Sequence, residues 1–452
     1  PLSWLGEYVS LPANVTPESV MAELVKVGLE EEGSHSYQLT GPIVVGEVLE
    51  FVEEAQSNGK TIRWCQVRVG LDDVRGIVCG GRNFEVGDKV VVTLPGAVLP
   101  GDFKIAARST YGHTSDGMIA SARELGISDD HEGILRLKTI GLDPEVGSDA
   151  LDLLQLNDSA AEVNVTPDRG YCFSIRGIAR EYSHATGASF TDPASRVIPR
   201  AASGFEVNVD NSQTIRAIKG VSKFVTRVVR DVDANAPTPS WMMSRLKLAG
   251  MRSISVVVDI TNYVMLELGQ PIHAYDLAKL GNSFGIRRAK ANEILETLDG
   301  VQRKLDSEDL VIVDSSGPIG LAGVMGGAST EVTSTTKDPK VAEYAAARVV
   351  QLLEELAGGS ADQLGSVFDE SQEPSSIFLP SHFASELTGV NYAAEDIKVT
   401  LEKIGCQVVT LDDGFEVVAP TWRPDLCHKT DLVEEIARIL GYEQIPSRLP
   451  VA

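Results

Sequence analysis

The sequence predicts a multidomain α+β protein: a small N-terminal α/β unit, a β-barrel, a larger α+β domain and a C-terminal α+β module. Three observations predict it. The chain has 452 residues, and that length implies about three domains rather than one core. Residues 41–150 hold short β-branched runs punctuated by turn residues, whereas the flanking stretches show helical spacing. Near the C-terminus an extended apolar run turns into a helix that opens with clustered acid.

Composition narrows the function. Hydrophobic residues make up 43% and charged residues 23%, a globular balance, and no apolar run approaches the roughly 20 residues of a membrane helix. No signal or transit pattern is visible, so a cytoplasmic location is expected; Pro1 is not an initiator, so a leader is expected to be missing. Cys65, Cys79, Cys172, Cys406 and Cys427 are odd in number without C-x-x-C spacing. They read as reduced, largely buried thiols rather than a disulfide framework or zinc site. The net charge of −24 opposes broad binding to nucleic acid. Any RNA contact must therefore be confined to local basic patches or shared with another subunit.

Residues 1–40 read as a small unit in which Thr16 caps a helix with Pro17 at its first position, and Gly28 stops it. From 41 to 150, runs at 44–52, 61–69, 74–78 and 89–94 alternate with Asn58-Gly59, Gly80-Gly81 and Gly87-Asp88 turns. Closure into a small barrel removes exposed edges, and strands of this size suggest a five-stranded OB-fold. Arg63, Arg68, Arg75, Arg82, Lys104 and Arg108 are candidate RNA contacts, although each taken singly reads as an ordinary solvated charge. No aromatic platform is evident between them.

Residues 151–370 read as the larger α+β domain. A helix is predicted from about 172 to 185, with Ile175, Ile178 and Ala179 inward and Arg176 and Arg180 facing away. A buried strand is predicted to lead to Asp259, after which Gln270-Pro271 turns the chain to present His273. Thr261, Asn262 and His273 could bind a polar substrate, and His273 could act as acid or base near neutral pH; a satisfied core histidine is the competing reading. A core-facing helix over 342–356 ends at Gly358-Gly359, and 358–376 reads as a polar linker.

Residues 371–452 form the last module. Pro424 places Asp425 at a strand-to-helix junction, with the helix starting near Thr430 or Asp431. Asp431, Glu434 and Glu435 can then share one helical face, with Asp425 folding back toward them. Hard oxygen ligands at this density suit Mg²⁺; helix N-terminal acid answering the macrodipole is the alternative.

Several stretches carry a family resemblance covering nearly the whole chain. Trp422-Arg423-Pro424-Asp425, Asp431-Leu432-Val433-Glu434-Glu435-Ile436-Ala437-Arg438 and Gly441-Tyr442-Glu443-Gln444-Ile445-Pro446 resemble the B5 domain of the bacterial phenylalanyl-tRNA synthetase beta subunit. Asp259-Ile260-Thr261-Asn262-Tyr263 through Gln270-Pro271-Ile272-His273-Ala274-Tyr275-Asp276 resembles its B3/B4 editing domain. Leu94-Pro95-Gly96-Ala97-Val98-Leu99-Pro100-Gly101 and Ser121-Ala122-Arg123-Glu124-Leu125-Gly126 resemble its EMAP-like tRNA-binding domain.

The resemblance implies domains at 1–40, 41–150, 151–370 and 371–452. It implies Mg²⁺ on Asp425, Asp431, Glu434 and Glu435 near an alpha-subunit contact, and an editing pocket of Thr261, Asn262, His273 and the backbone of Gly323 and Gly326. Arg63, Arg68, Lys104 and Arg108 become expected tRNA contacts. The implied activity is ATP-dependent attachment of phenylalanine to tRNA(Phe) by an alpha2-beta2 assembly, with synthesis on the alpha subunit and hydrolysis of tyrosyl-tRNA(Phe) on the beta subunit. In two places the sequence departs from the family. Asp168 stands where the family has Asn, and the sequence passes directly from Lys337 to Asp338 where the family has a segment carrying its editing glutamate. Loss of that segment predicts impaired editing, and absence of the modules after B5 predicts no ester synthesis by the chain alone. A noncatalytic tRNA-binding adaptor and a purely structural assembly subunit are the competing classes.

Overall fold

The computed structural model describes residues 1–128, 133–215, 218–281, 283–297, 300–323, 325–326 and 338–447. Contacts divide the chain into two units, one built from 1–3, 34–160 and 234–259, the other from 4–33, 161–233 and the described residues from 260 onward.

In the first unit, strands β1 (Ile43–Ala55), β2 (Thr61–Arg68), β3 (Val74–Cys79), β4 (Lys89–Thr93) and β5 (Met118–Ile119) form an antiparallel half-barrel in the order β5-β4-β1-β2-β3. Period-two alternation sends Cys65 and Val67 of β2 inward. Cys65 and Val67 meet Val48, Ile77, Val90 and Val92 in one core. A register shift between Val48 and Glu50 bends β1, so its first half pairs with β4 and its second half with β2 alone. The turn residues fall where the sequence put them.

In the second unit, the Pro17–Val25 helix is capped reciprocally by Thr16 and Ser19, and Gly28 adopts positive φ beyond its end. A three-stranded sheet places Ser360–Asp369 between Ser203–Gly204 and Lys223–Arg230, with the Ala342–Ala357 helix packed on it. A five-stranded sheet follows the order Asn208–Val209, Phe284–Arg288, Leu310–Asp314, Gly317–Leu321, Met325–Gly326. The last module packs helices Phe383–Thr388, Ala394–Lys403 and Lys429–Leu440 on a three-stranded sheet, burying Leu379, Ile397, Leu401, Phe415, Leu432 and Ile436 together.

Three local expectations are corrected. Val256–Leu268 is a helix rather than a strand leading to Asp259, because Ile260, Val264 and Leu268 recur at helical spacing and are all buried. Residues 360–369 are a central strand rather than linker; pairing with Lys223–Arg230 satisfies a backbone whose side chains gave a weak pattern. Arg176 and Arg180 face inward from the Ile175–Thr186 helix rather than outward, since acids and an aromatic ring await them there.

Candidate functional sites

The acidic C-terminal corner is built on arginine. The Lys429–Leu440 helix sets Asp431, Glu434 and Glu435 within one arc, but it buries Glu435 beside Leu432 and Ile436 while Glu434 stays exposed. Buried Arg423 donates from Nη1 to Glu435 at 2.7 Å, and from Nε and Nη2 to Asp425 at 3.0 and 2.7 Å. Arg438, also fully buried, donates to both Glu435 oxygens at 3.0 and 2.6 Å, to the Val27 carbonyl at 3.0 Å and to Glu181 at 2.5 Å. The Tyr171 hydroxyl donates to Glu181 at 2.7 Å, and His184 Nδ1 lies 3.1 Å from the same oxygen. Asp431, third in its helix, reaches back in a capping box and accepts from the backbone N–H groups of Cys427 and the N-cap His428. Glu434 accepts from the Tyr442 hydroxyl and lies 3.7 Å from Arg169.

Charge follows from these contacts. Burial pushes the Glu435 carboxyl up, but Arg423 and Arg438 override it and hold it down at about 2. Burial acts on Glu181 in the same way, and Arg438, His184 and Tyr171 hold it well below the usual carboxylate range. Burial raises Glu434, with Glu435 adding to the rise against Tyr442 and Arg169.

These four carboxylates do not fit a magnesium site as placed. Each is taken by a guanidinium, a hydroxyl or backbone N–H groups, and among the described residues no group of three or more His, Cys, Asp or Glu is arranged to hold a metal. A divalent ion needs converging, uncommitted oxygens. Sequence reasoning missed the cations that occupy them, although the spacing of Glu435 and Arg438 carried a helical i,i+3 signal. A neighbouring cluster was missed too. Arg176 pairs with Asp192 and Asp338, Arg180 pairs with Asp192 and lies 4.0 Å over the Trp422 ring, and Thr421 donates to Asp338.

The second set lies in and after the Val256–Leu268 helix. Thr261 is buried and Asn262 half-buried; half-buried His273 lies on the following loop, edge-on to Tyr275 at 4.7 Å. Tyr275 meets Phe284 at 5.4 Å, tying this loop to the five-stranded sheet. Gly326 pairs with Gly320 on that sheet's last strand, and Gly323 sits in the preceding turn at φ +71°. Asp259 accepts from Thr238, Ser253 and the Ile254 N–H and so has a structural role. Lys337, beside the departure from the family pattern, lies outside the described residues.

The third set is on the half-barrel. Arg63 pairs with Glu53, Arg68 with Glu47, and Arg75 with Asp73 and Asp116. Lys104 and Arg108 are exposed. Aromatic rings do accompany these cations, contrary to the sequence reading. Arg63 lies over Phe51 at 4.1 Å, Arg108 over Phe103 at 5.4 Å, and Trp64 stacks on His113 at 4.3 Å. Strand pairing joins residues that the linear sequence separates.

Comparison with known families finds three domain matches. Residues 43–141 match a tRNA binding domain, 220–341 the B3/4 domain and 377–442 the tRNA synthetase B5 domain. Two of these matches carry a tRNA or tRNA synthetase description. Its whole length is 59% identical to a phenylalanine–tRNA ligase beta subunit from Leifsonia xyli, covering 59% of that protein. The corresponding subunits of Streptomyces avermitilis and Bifidobacterium longum are 47% and 42% identical over all of this chain and 58% and 60% of their own. The chain is similar along its whole length to phenylalanine–tRNA ligase beta subunits, and it spans about 59% of the length of the first of these curated relatives. That alignment extends over 503 positions, so the relative carries residues without a counterpart here.

Proposed function

We propose that the chain acts as part of a phenylalanine–tRNA ligase beta subunit, supporting ATP-dependent attachment of phenylalanine to tRNA(Phe) in the cytoplasm. Its partner is an alpha subunit carrying the synthetic centre, in an alpha2-beta2 assembly. The observation that carries this reading is 59% identity to a protein of that name over an alignment that covers the whole of this chain. No described helix is long and apolar enough to cross a membrane.

The B3/4 region is assigned hydrolysis of tyrosyl-tRNA(Phe). Thr261 and Asn262 would orient the ester, and His273 would move a proton near neutral pH. The backbone at Gly323 and Gly326 leaves room for close approach by a ligand. Arg63, Arg68, Lys104 and Arg108 are assigned to the tRNA-facing side of the half-barrel. ATP and Mg²⁺ belong to the reaction of the assembled enzyme; because Asp425, Asp431, Glu434 and Glu435 do not fit the ion as placed, no step is routed through them.

Two assays test the reading. Phenylalanylation of tRNA(Phe) by the alpha subunit should depend on the complete beta chain that contains these residues; charging by the alpha subunit alone would refute it. Deacylation of tyrosyl-tRNA(Phe) should fall at least tenfold in His273→Ala, and an unchanged rate would remove the editing assignment while leaving the first result standing.

A further inference from the structure

The half-barrel carries a cleft of about 610 Å³ lined by Gly59, Lys60, Thr61, Ile62, Val78, Gly80, Arg82, Thr110 and Tyr111. Its position follows from topology. Lys60 closes the loop between β1 and β2, and Thr61, Ile62 and Val78 belong to β2 and β3. Arg82 follows β3, and Thr110 and Tyr111 come from a hairpin inserted between β4 and β5. In an OB-fold these are the strands and loops that bind oligonucleotides.

Charge singles the cleft out. The chain carries −24 overall, and most cations of the half-barrel are already paired: Arg63, Arg68, Arg75 and Lys89 all have carboxylate partners. Among the described residues no Asp or Glu lines the cleft, and neither Lys60 nor Arg82 has an acidic partner. Two cations on one concave surface suit successive phosphates.

The aromatic group is placed at a cost. Tyr111 and Gly112 occupy the tip of the Arg108–Thr110/His113–Ser115 hairpin at φ +50° and +80°. Such turns favour Asn, Asp or Gly, and a bulky ring at positive φ is an outlier. The strain holds an exposed phenol at the mouth of the cleft, and strain of this kind collects at ligand sites. Behind the cleft, Trp64 and His113 stack, and a Cβ on Gly76 would come within 2.2 Å of the Trp64 ring. Glycine at 76 therefore gives that ring its place.

We infer that this cleft binds a single-stranded RNA segment, with phosphates on Lys60 and Arg82 and a base stacked on Tyr111. The inference rests on the tRNA-binding reading and moves its centre from the ion-paired Arg63 and Arg68 to these residues.

The test uses the full chain, a tRNA(Phe) transcript and a labelled single-stranded oligoribonucleotide of about eight nucleotides, within the range one OB-fold covers. Affinity is measured by anisotropy across a salt series. Lys60→Ala/Arg82→Ala should weaken oligonucleotide binding at least tenfold and reduce the slope of log affinity against log salt by about 1.4, two phosphates at about 0.7 each. Tyr111→Gly, which relieves the backbone and removes the ring, should weaken binding at least fivefold with the slope unchanged. Lys398→Ala, on the Ala394–Lys403 helix of the last module, should alter oligonucleotide binding less than twofold. The cleft variants are exposed-site changes, and no variant may melt below wild type.

If wild type binds neither RNA, the tRNA-binding reading itself fails. If it binds and the cleft variants match it in affinity and slope, this inference alone is overturned. Competition by poly-glutamate as strong as that by the oligonucleotide would also overturn it, by showing a site for acidic polypeptide.

Discussion

Arg438 and Glu181, 257 positions apart in sequence, form an ion pair buried from solvent on both sides, with nitrogen and oxygen 2.5 Å apart. Arg438 also bonds Glu435 on its own helix and the Val27 carbonyl beyond the N-terminal helix. Three distant stretches of the second unit therefore meet on one guanidinium.

Breaking that junction leaves a buried charge unpaired. Arg438→Met should destabilise the second unit by about 3–5 kcal/mol, read as a lower urea midpoint with unchanged slope. Arg438→Met with Glu181→Leu and Glu435→Leu should recover part of the loss. A single variant as stable as wild type would show that the pair contributes nothing.

Acid should open the same junction. Glu435 titrates at about 2 in the fold against 4.5 when free, and Glu181 is likewise depressed. Depressed carboxyls contribute stability that is fully present above the unfolded value and fades as pH falls through the folded one. Stability should therefore drop between about pH 4.5 and 2. Glu434 acts oppositely, being raised, but it lies half in solvent and its share is smaller. Urea melts at stepped pH check this; in Glu435→Gln the drop should be shallower.

Added magnesium should change little at the acidic corner. Millimolar MgCl₂ should leave the melting temperature of the second unit where NaCl of equal ionic strength leaves it. Asp431→Ala should cost about 1 kcal/mol with or without the ion, as loss of one half of a capping box. Saturable stabilisation that vanishes in Asp425→Asn would show Mg²⁺ displacing Arg423.

Much of this was legible in sequence, and the exceptions share a cause. The half-barrel could be read because Asn58-Gly59 and Gly87-Asp88 punctuate runs whose alternation is local. The capped Pro17–Val25 helix could be read for the same reason. Acid at Asp425, Asp431, Glu434 and Glu435 was visible, but its partners were not: Arg423 and Arg438 are ordinary arginines until the fold buries them beside Glu435. Arg176 and Arg180 were placed outward because charge on an amphipathic helix normally faces water, and here Asp192, Asp338 and Trp422 reverse that. Residues 360–369 looked like linker because a central strand owes its order to neighbours far away in sequence.

Thiol chemistry gives an independent check on burial. Cys65, Cys79, Cys172 and Cys406 are buried, and burial pushes the Cys65 and Cys406 thiols up to about 12 and Cys79 to about 11. Cys427 is exposed. Under native conditions a maleimide should label Cys427 alone, with the other four reacting only in denaturant. Rapid labelling of Cys406 would contradict the packing of the last module.

The account stands most directly on assembly. The alpha subunit of phenylalanine–tRNA ligase from the same cells should be purified through a tag and its mass measured under native conditions. The account predicts a complex in which each alpha subunit is matched by one beta chain containing this sequence. An alpha subunit that charges tRNA(Phe) in a complex from which this sequence is missing would contradict it.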